Sequence, residues 1–132
     1  MAEIPAEAKH LLSGKHFAHV ATLMPDGSPQ VSPVWVDVED GLVLFNTAEG
    51  RLKPENLRRD PRVAISITDD ENPYENVLIR GKAVELTHDG ADEHIDALAN
   101  RYMGVDEYPL RHPGEERVIV KIEPEKVQHQ KP

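Results

Sequence analysis

Two cations, Arg51 and Lys53, lie where a buried strand is predicted to pass into a short helix. The apolar run 42–45 is typical of a buried strand, the chain then passes through Gly50, and the helix must end before Pro61. The first N–H groups of a helix, together with nearby cations, favour a bound anion. This spacing indicates a phosphate-binding site where the predicted strand passes into the short helix. The alternative is an ordinary strand–turn–helix with solvated basic side chains.

The sequence contains no motif that indicates residues for covalent or acid–base catalysis. The patterns G-x-S-x-G, H-E-x-x-H and G-x-G-x-x-G do not occur, and there is no cysteine to supply a thiolate. The acidic loop 69–72 does not have the ligand spacing or the glycine of a calcium loop. The seven histidines show no metal-ligand spacing; they are His10, His16, His19, His88, His94, His112 and His129. We predict no catalytic side chain and no metal site, so a cofactor would supply any chemistry.

Composition narrows the class of protein. The chain of 132 residues predicts one domain, 1–132, in which 124–132 form a polar C-terminal tail. A formal net charge of -9 opposes nucleic-acid binding. No apolar run approaches the roughly 20 residues that span a bilayer, and the first residues do not form a signal peptide, so we expect a cytoplasmic protein with no membrane partner. The basic residues cluster locally, which suits a small anionic ligand; they are Arg51, Lys53, Arg58, Arg59 and Arg62. For Arg58 and Arg59 we favour the alternative that they stabilise the C-terminus of the helix through its dipole.

Strands dominate the elements that must position these residues. Turn signals such as Pro25–Pro29 separate six apolar runs, which predicts a largely antiparallel sheet closed into a small barrel. The fold class is therefore mainly β with peripheral helices. The predicted strands are 17–23, 30–38, 42–47, 63–68, 77–87 and 117–122. The predicted helices are 5–13, a short one ending before Pro61, and one capped by Asp89 that runs to Met103 before Gly104.

The predicted strand 30–38 is apolar on both faces. Val34, Val36 and Val38 alternate with Val31, Pro33 and Trp35. An exposed antiparallel strand would carry one polar face, so the second face must be covered by a ligand, a partner chain or both. Trp35, the single tryptophan, is more typical of a core or an interface than of a cofactor contact.

In the later strand 77–87, Gly81 indicates a bulge or a close backbone approach.

Several segments together resemble the pyridoxamine 5'-phosphate oxidase-like split β-barrels, and in particular the branch that uses the deazaflavin coenzyme F420. The resemblance covers nearly the whole chain in the right order. Its segments are 17–23, 26–35, 46–53, 56–64 and 72–74. It implies a six-stranded antiparallel split β-barrel of the FMN-binding type. It also implies a homodimer with two cofactor sites at the interface.

The resemblance also implies roles for individual residues. Those matching Ser32, Pro33, Val34 and Trp35 lie against the flavin or deazaflavin ring. Those matching Asn46 and Thr47 contact the cofactor. The residues matching Arg51, Lys53 and Asn56 hold its phosphate end, and the position matching Tyr74 lies near the site.

The resemblance leaves three functions open. The leading one is an F420-dependent oxidoreductase that passes a hydride to a small electron-poor molecule such as an enone or quinone. The others are an FMN-binding flavoprotein of the same fold, and a non-catalytic module that binds a cofactor, haem or another tetrapyrrole. Two departures matter: Pro54 removes a helix-start N–H donor, and the chain ends soon after Pro124. True pyridoxamine phosphate oxidases carry a longer basic C-terminal part, so that activity is not expected.

Overall fold

One antiparallel sheet of seven strands organises the computed structural model, which describes residues 1–132. The strands are β1 (Ala18–Leu23), β2 (Pro29–Val34), β3 (Asp37–Glu39), β4 (Leu42–Ala48), β5 (Arg62–Thr68), β6 (Asn76–Thr87) and β7 (Arg117–Gln130). Their order across the sheet is β2-β1-β5-β6-β7-β4-β3. The helices are α1 (Lys9–Ser13), preceded by a 3-10 turn at Ala6–Ala8, α2 (Leu52–Arg59) and α3 (Ala91–Met103).

The two edge strands are joined by a link of only two residues, Trp35 and Val36. This short link requires the sheet to curl until its edges approach each other, yet β2 and β3 do not pair. The predicted mainly β, antiparallel split barrel is confirmed, whereas the predictions of six strands and of a closed barrel were wrong. The strand predicted at 30–38 is two strands, because the N–H of Val36 is bonded to the hydroxyl of Tyr102 instead of a neighbouring strand.

The C-terminal segment that was predicted as a polar tail belongs largely to a strand, which runs to Gln130. Strand β7 pairs with β6 from Asn76 opposite Gln130 to Thr87 opposite Ile119, with two register shifts. One shift lies beside Gly81, where an added Cβ would collide with the backbone oxygen of Glu123. The close approach predicted at Gly81 is therefore confirmed. The irregularity there also accommodates a proline opposite Gly81, since proline has no N–H to donate.

The main core lies on the inner side of the curled sheet. Seventeen buried apolar residues form it, among them Leu11 and Leu12 of α1, Phe45 of β4 and Leu57 of α2. Helix α3 packs against β4 and β7. It ends at Gly104 in the left-handed conformation, as predicted.

The start of α3 differs from the prediction. The residue preceding the helix is Gly90 and not Asp89, and no side chain caps the first turn. The backbone N–H of Asp89 instead donates a hydrogen bond to the hydroxyl oxygen of Thr87 at 3.1 Å. None of the three helices has the length and apolar character needed to cross a membrane.

Candidate functional site

A pocket of about 190 Å³ opens beside the link between the two sheet edges. Its walls come from the link, the end of β4, the start of β7, the residue that precedes α2, and α3 with the loop that follows it. The pocket contains five of the predicted cofactor-binding residues: Pro33, Val34, Trp35, Asn46 and Arg51. The rest of its lining is Phe17, Ile95, Leu98, Tyr108, Leu110 and Arg117.

The aromatic wall of the pocket is Trp35. Its ring stacks on Tyr102 of α3 at 5.2 Å between centroids, with 16° between the planes, and meets Tyr108 edge-on at 5.9 Å. The Tyr102 hydroxyl accepts a hydrogen bond from the N–H of Val36 at 3.1 Å and donates one to the carbonyl of His16 at 2.7 Å. Helix α3 therefore holds the indole in a fixed plane. A flat face of this kind suits a planar ligand.

Asn46 is held rigidly by three partners on two elements, α3 and β7. Its Oδ1 accepts a hydrogen bond from Nε of Arg117 at 2.9 Å, and its Nδ2 donates to the carbonyl of Ala91 at 2.9 Å. The same amide nitrogen lies 3.1 Å from Nδ1 of His94. Since that ring nitrogen must accept, the proton of His94 is on Nε2, which donates to Asp37 Oδ2 at 3.2 Å. Asn46 thus presents a fixed amide to the pocket.

Asp37 anchors the far end of this network. Burial opposes its ionisation, but hydrogen bonds from His94 and Arg101 outweigh burial and lower the pKa of Asp37 to about 2. Arg101 donates to Asp37 Oδ1 at 2.8 Å and to the carbonyl of Val36 at 3.0 Å. The ionised carboxylate therefore fixes the link that carries Trp35.

Cations outnumber anions at the mouth of the pocket. Arg51 precedes the first turn of α2, is half-exposed, and makes a loose ion pair with Glu115 at 3.6 Å. Lys53 is partly buried and makes no ion pair, and its pKa is lowered by burial and by the charge of Arg51. Arg117 is buried, donates to Glu115 at 2.8 Å, and lies 5.1 Å from the Tyr108 ring centroid. Arg51 and Arg117 thus share the Glu115 carboxylate, and Lys53 has no carboxylate partner. An anion between Arg51 and Lys53 would relieve their repulsion.

Five predicted cofactor-binding residues do not line the pocket: Ser32, Thr47, Lys53, Asn56 and Tyr74. Asn56 is buried and donates to Thr22 Oγ1 at 3.0 Å, while Thr47 is buried on β4. The hydroxyl of Ser32 is buried without a hydrogen-bond partner. Tyr74 is 76% exposed in the loop between β5 and β6. Their contact with a cofactor stays a prediction.

Three residues of the site were not identified as such from the sequence: Tyr102, Tyr108 and Arg117. Tyr102 lies within the predicted helix, and no local sequence signal indicates the hydrogen bonds of its hydroxyl. Arg117 begins an apolar strand and is 4% exposed. A charged residue at the start of a buried run was the one available signal, because a buried arginine needs partners.

The curled antiparallel sheet with an open edge, and a pocket beside its two-residue link, define the class of split β-barrels. The chain belongs to the pyridoxamine 5'-phosphate oxidase family, whose sequence profile matches residues 4–131.

Solved structures of similar proteins agree with this assignment. An F420 reductase is 29% identical, with 95% of this chain and 98% of that chain covered and a TM-score of 0.82. The conserved hypothetical protein Rv2991 from Mycobacterium tuberculosis is 25% identical over 98% of this chain and 86% of that one, with a TM-score of 0.74. General Stress Protein 26 from Bacillus anthracis is 17% identical over 92% and 89% of the chains, with a TM-score of 0.68, and shares the fold.

Proposed function

We propose that this protein is an F420-dependent oxidoreductase that exchanges a hydride between the deazaflavin and a small electron-poor molecule. The observation that carries the proposal is a pocket lined by both Trp35 and Arg51. Arg51 makes one loose carboxylate contact and lies close enough to Lys53 for its charge to lower the pKa of that lysine, which burial also lowers. A planar ring would pack against Trp35, and a phosphate on its tail would bind the cations Arg51 and Lys53. Similarity to an F420 reductase over nearly the full chain supports the choice of deazaflavin.

The protein's own residues would bind and orient the cofactor. Trp35 and the backbone of the link offer a flat wall for the ring, and the amide of Asn46 lies within the same pocket. Arg51 and the first N–H groups of α2 would bind the phosphate, with Lys53 adding a second charge. The bound deazaflavin supplies the hydride chemistry, and the protein supplies position and the exclusion of water.

A second copy of the chain would complete the site. A pocket of about 190 Å³ is smaller than the roughly 300–1,000 Å³ of sites that enclose a drug-sized ligand. The outer face of β1, β2, β5, β6 and β7 carries a wider apolar groove of about 650 Å³, which includes Val31 and Leu78. We infer a homodimer in which this face is covered, as the apolar side of β2 led us to expect.

Native mass spectrometry tests the proposed cofactor directly. Purified protein mixed with F420 or with FMN should appear as a dimer that carries one cofactor per chain. Oxidation of reduced F420 by an enone or quinone should then depend on the protein. Retention of FMN with no binding of F420 would replace this proposal with an FMN flavoprotein. Failure to bind either would leave a non-catalytic module. For a haem module, His94 offers no ligand, since both its ring nitrogens are already hydrogen-bonded.

A further inference from the structure

A second polar cluster lies outside the pocket and joins three parts of the chain. It contains His10 of α1, Asp69 and Glu75 from the ends of the β5–β6 loop, and His129 near the end of β7. The atoms that His10, Asp69 and Glu75 could offer a metal all lie within 4.8 Å of one another. The cofactor proposal uses none of these residues.

The two carboxylates are each held by one oxygen. Asp69 Oδ1 accepts the N–H groups of Glu71 at 2.8 Å and Asn72 at 3.2 Å, and Glu75 Oε2 is 2.8 Å from His129 Nε2. The remaining oxygens lie near His10 Nε2, with Glu75 Oε1 at 3.5 Å and Asp69 Oδ2 at 3.8 Å. In each carboxylate, one oxygen is held by a hydrogen bond and the other lies near Nε2 of His10. Carboxylate ligands of metal ions in proteins are oriented by hydrogen bonds in this way.

The charge of the cluster is unbalanced. Glu75 is 6% exposed, and its Oε2 lies 2.8 Å from Nε2 of His129. Neither Glu75 nor Asp69 makes an ion pair with lysine or arginine; histidines are their ion-pair partners. A buried carboxylate without a lysine or arginine partner is costly. A divalent cation would supply the missing charge.

We propose that His10, Asp69 and Glu75 bind one divalent transition-metal ion, with Zn²⁺ as the best match, and that His129 orients Glu75 from behind. A tetrahedral zinc site with bonds of about 2.1 Å sets ligand atoms about 3.4 Å apart, close to the separations from His10. Nitrogen beside two carboxylates favours Zn²⁺ or Mn²⁺ over Mg²⁺ and Ca²⁺, which prefer oxygen alone. The ion would attach α1 to the β5–β6 loop.

A second cluster of similar composition serves as a control. Glu49, His88 and Glu116 also place their ligand atoms within 4.8 Å. There, however, Arg58 donates to both oxygens of Glu49, at 2.6 and 2.8 Å. A cation would have to displace that guanidinium, so this second cluster should not bind the first equivalent of metal.

Calorimetry on untagged, chelator-treated protein tests the proposal. One Zn²⁺ per chain should bind, and at a hundredfold excess over the dissociation constant the melting temperature should rise by about 5–10 °C. Mg²⁺ should give neither effect. His10→Ala should weaken the first Zn²⁺ by at least about a hundredfold and His129→Ala by about 10- to 100-fold, whereas His88→Ala should leave it unchanged.

Because His10 is half-exposed, its alanine variant should melt near the unmutated apo protein. Glu75→Gln keeps the size of the side chain and removes its charge, and provides an independent variant. Zn²⁺ binding that survives both changes would overturn the proposal, as would loss of the first equivalent in His88→Ala. An unmutated protein with no stoichiometric Zn²⁺ and no rise in melting temperature would also overturn it.

Discussion

At the scale of single residues, the cations at the start of α2 carry the proposed cofactor contact. Arg51→Ala and Lys53→Ala should each weaken F420 or FMN by about tenfold to a hundredfold, the effect of removing one charged hydrogen bond of about 1.5–3 kcal/mol. Added salt should weaken binding by the unmutated protein, since Arg51 is half-exposed. Isothermal titration measures both effects.

Arg62→Ala is the matched control for these variants. Arg62 is exposed and paired to its neighbour Asp60, so its loss should leave cofactor affinity unchanged. The melting temperature of the apo protein should change little in Arg51→Ala, because the ion pair to Glu115 is loose. Cofactor affinity equal to that of the unmutated protein in both Arg51→Ala and Lys53→Ala would place the phosphate elsewhere.

Asp37 links the stability of the protein to acid pH. Its pKa is about 2 in the folded chain against an ordinary value of 3.8, so its contribution is complete above about pH 4 and is lost as the pH falls toward 2. Asp37→Asn should lower the free energy of unfolding at pH 7 by about 1–2 kcal/mol after solvent screening. That difference should shrink between pH 4 and pH 2 in urea titrations.

Asp106→Asn is the control for this pH dependence, because Asp106 is exposed and lies in the loop after α3. Its variant should track the unmutated protein at each pH. A constant difference between Asp37→Asn and the unmutated protein from pH 7 to pH 2 would contradict the assigned role of the carboxylate.

At the scale of elements, the bulged pairing of β6 with β7 depends on Gly81. An alanine there would press its Cβ against the backbone oxygen of Glu123, which cannot move as a flexible side chain can. Gly81→Ala should therefore destabilise the protein by about 1–3 kcal/mol in denaturant unfolding. Val84 is half-exposed on the same strand, so Val84→Ala should change the free energy of unfolding by less than about 0.5 kcal/mol. Equal effects of the two variants would mean that the sheet accommodates the Cβ.

The same elements show what local sequence can predict. The apolar run of β4 and the glycine that ends α3 are local signals, and both elements form where they were expected. The strand at 30–38 was predicted as continuous because its apolar alternation passes through Trp35 and Val36 without a break. The break comes from Tyr102, 66 residues away from Val36, which bonds its N–H. Pro124 indicated a strand end, but the register shift beside Gly81 accommodates it.

In the candidate site, too, residues close in the sequence were predicted and residues distant in the sequence were not. Arg51 and Asn46 were identified because they flank one strand–turn–helix, and the structure brings both to the pocket. Tyr108 and Arg117 reach the same pocket from the opposite end of the chain, and Asp69 lies near His10 although 58 residues separate them in the sequence. Residue spacing does not indicate contacts between residues that are distant in the sequence. The cluster of His10, Asp69 and Glu75 was therefore not predicted.

At the scale of the whole molecule, the outer apolar groove should be covered by a second copy. Val31 is 61% exposed and lies in the groove, so Val31→Asp should convert a dimer to a monomer by charging an apolar interface. Met103→Asp, also exposed but on α3, should remain dimeric. Sedimentation equilibrium at micromolar concentration distinguishes the two. A monomeric unmutated protein would contradict the proposed homodimer.

The most direct test of the proposed site uses its own tryptophan. Trp35 is the single tryptophan and forms the wall of the pocket, so a chromophore bound against it should quench its emission. Titration with F420 should quench this emission saturably at one cofactor per chain, and riboflavin, which has the ring of FMN without its phosphate, should bind at least about tenfold more weakly than FMN. Emission unaffected by F420 and FMN, or riboflavin binding as tightly as FMN, would contradict a ring on Trp35 with its phosphate at Arg51 and Lys53.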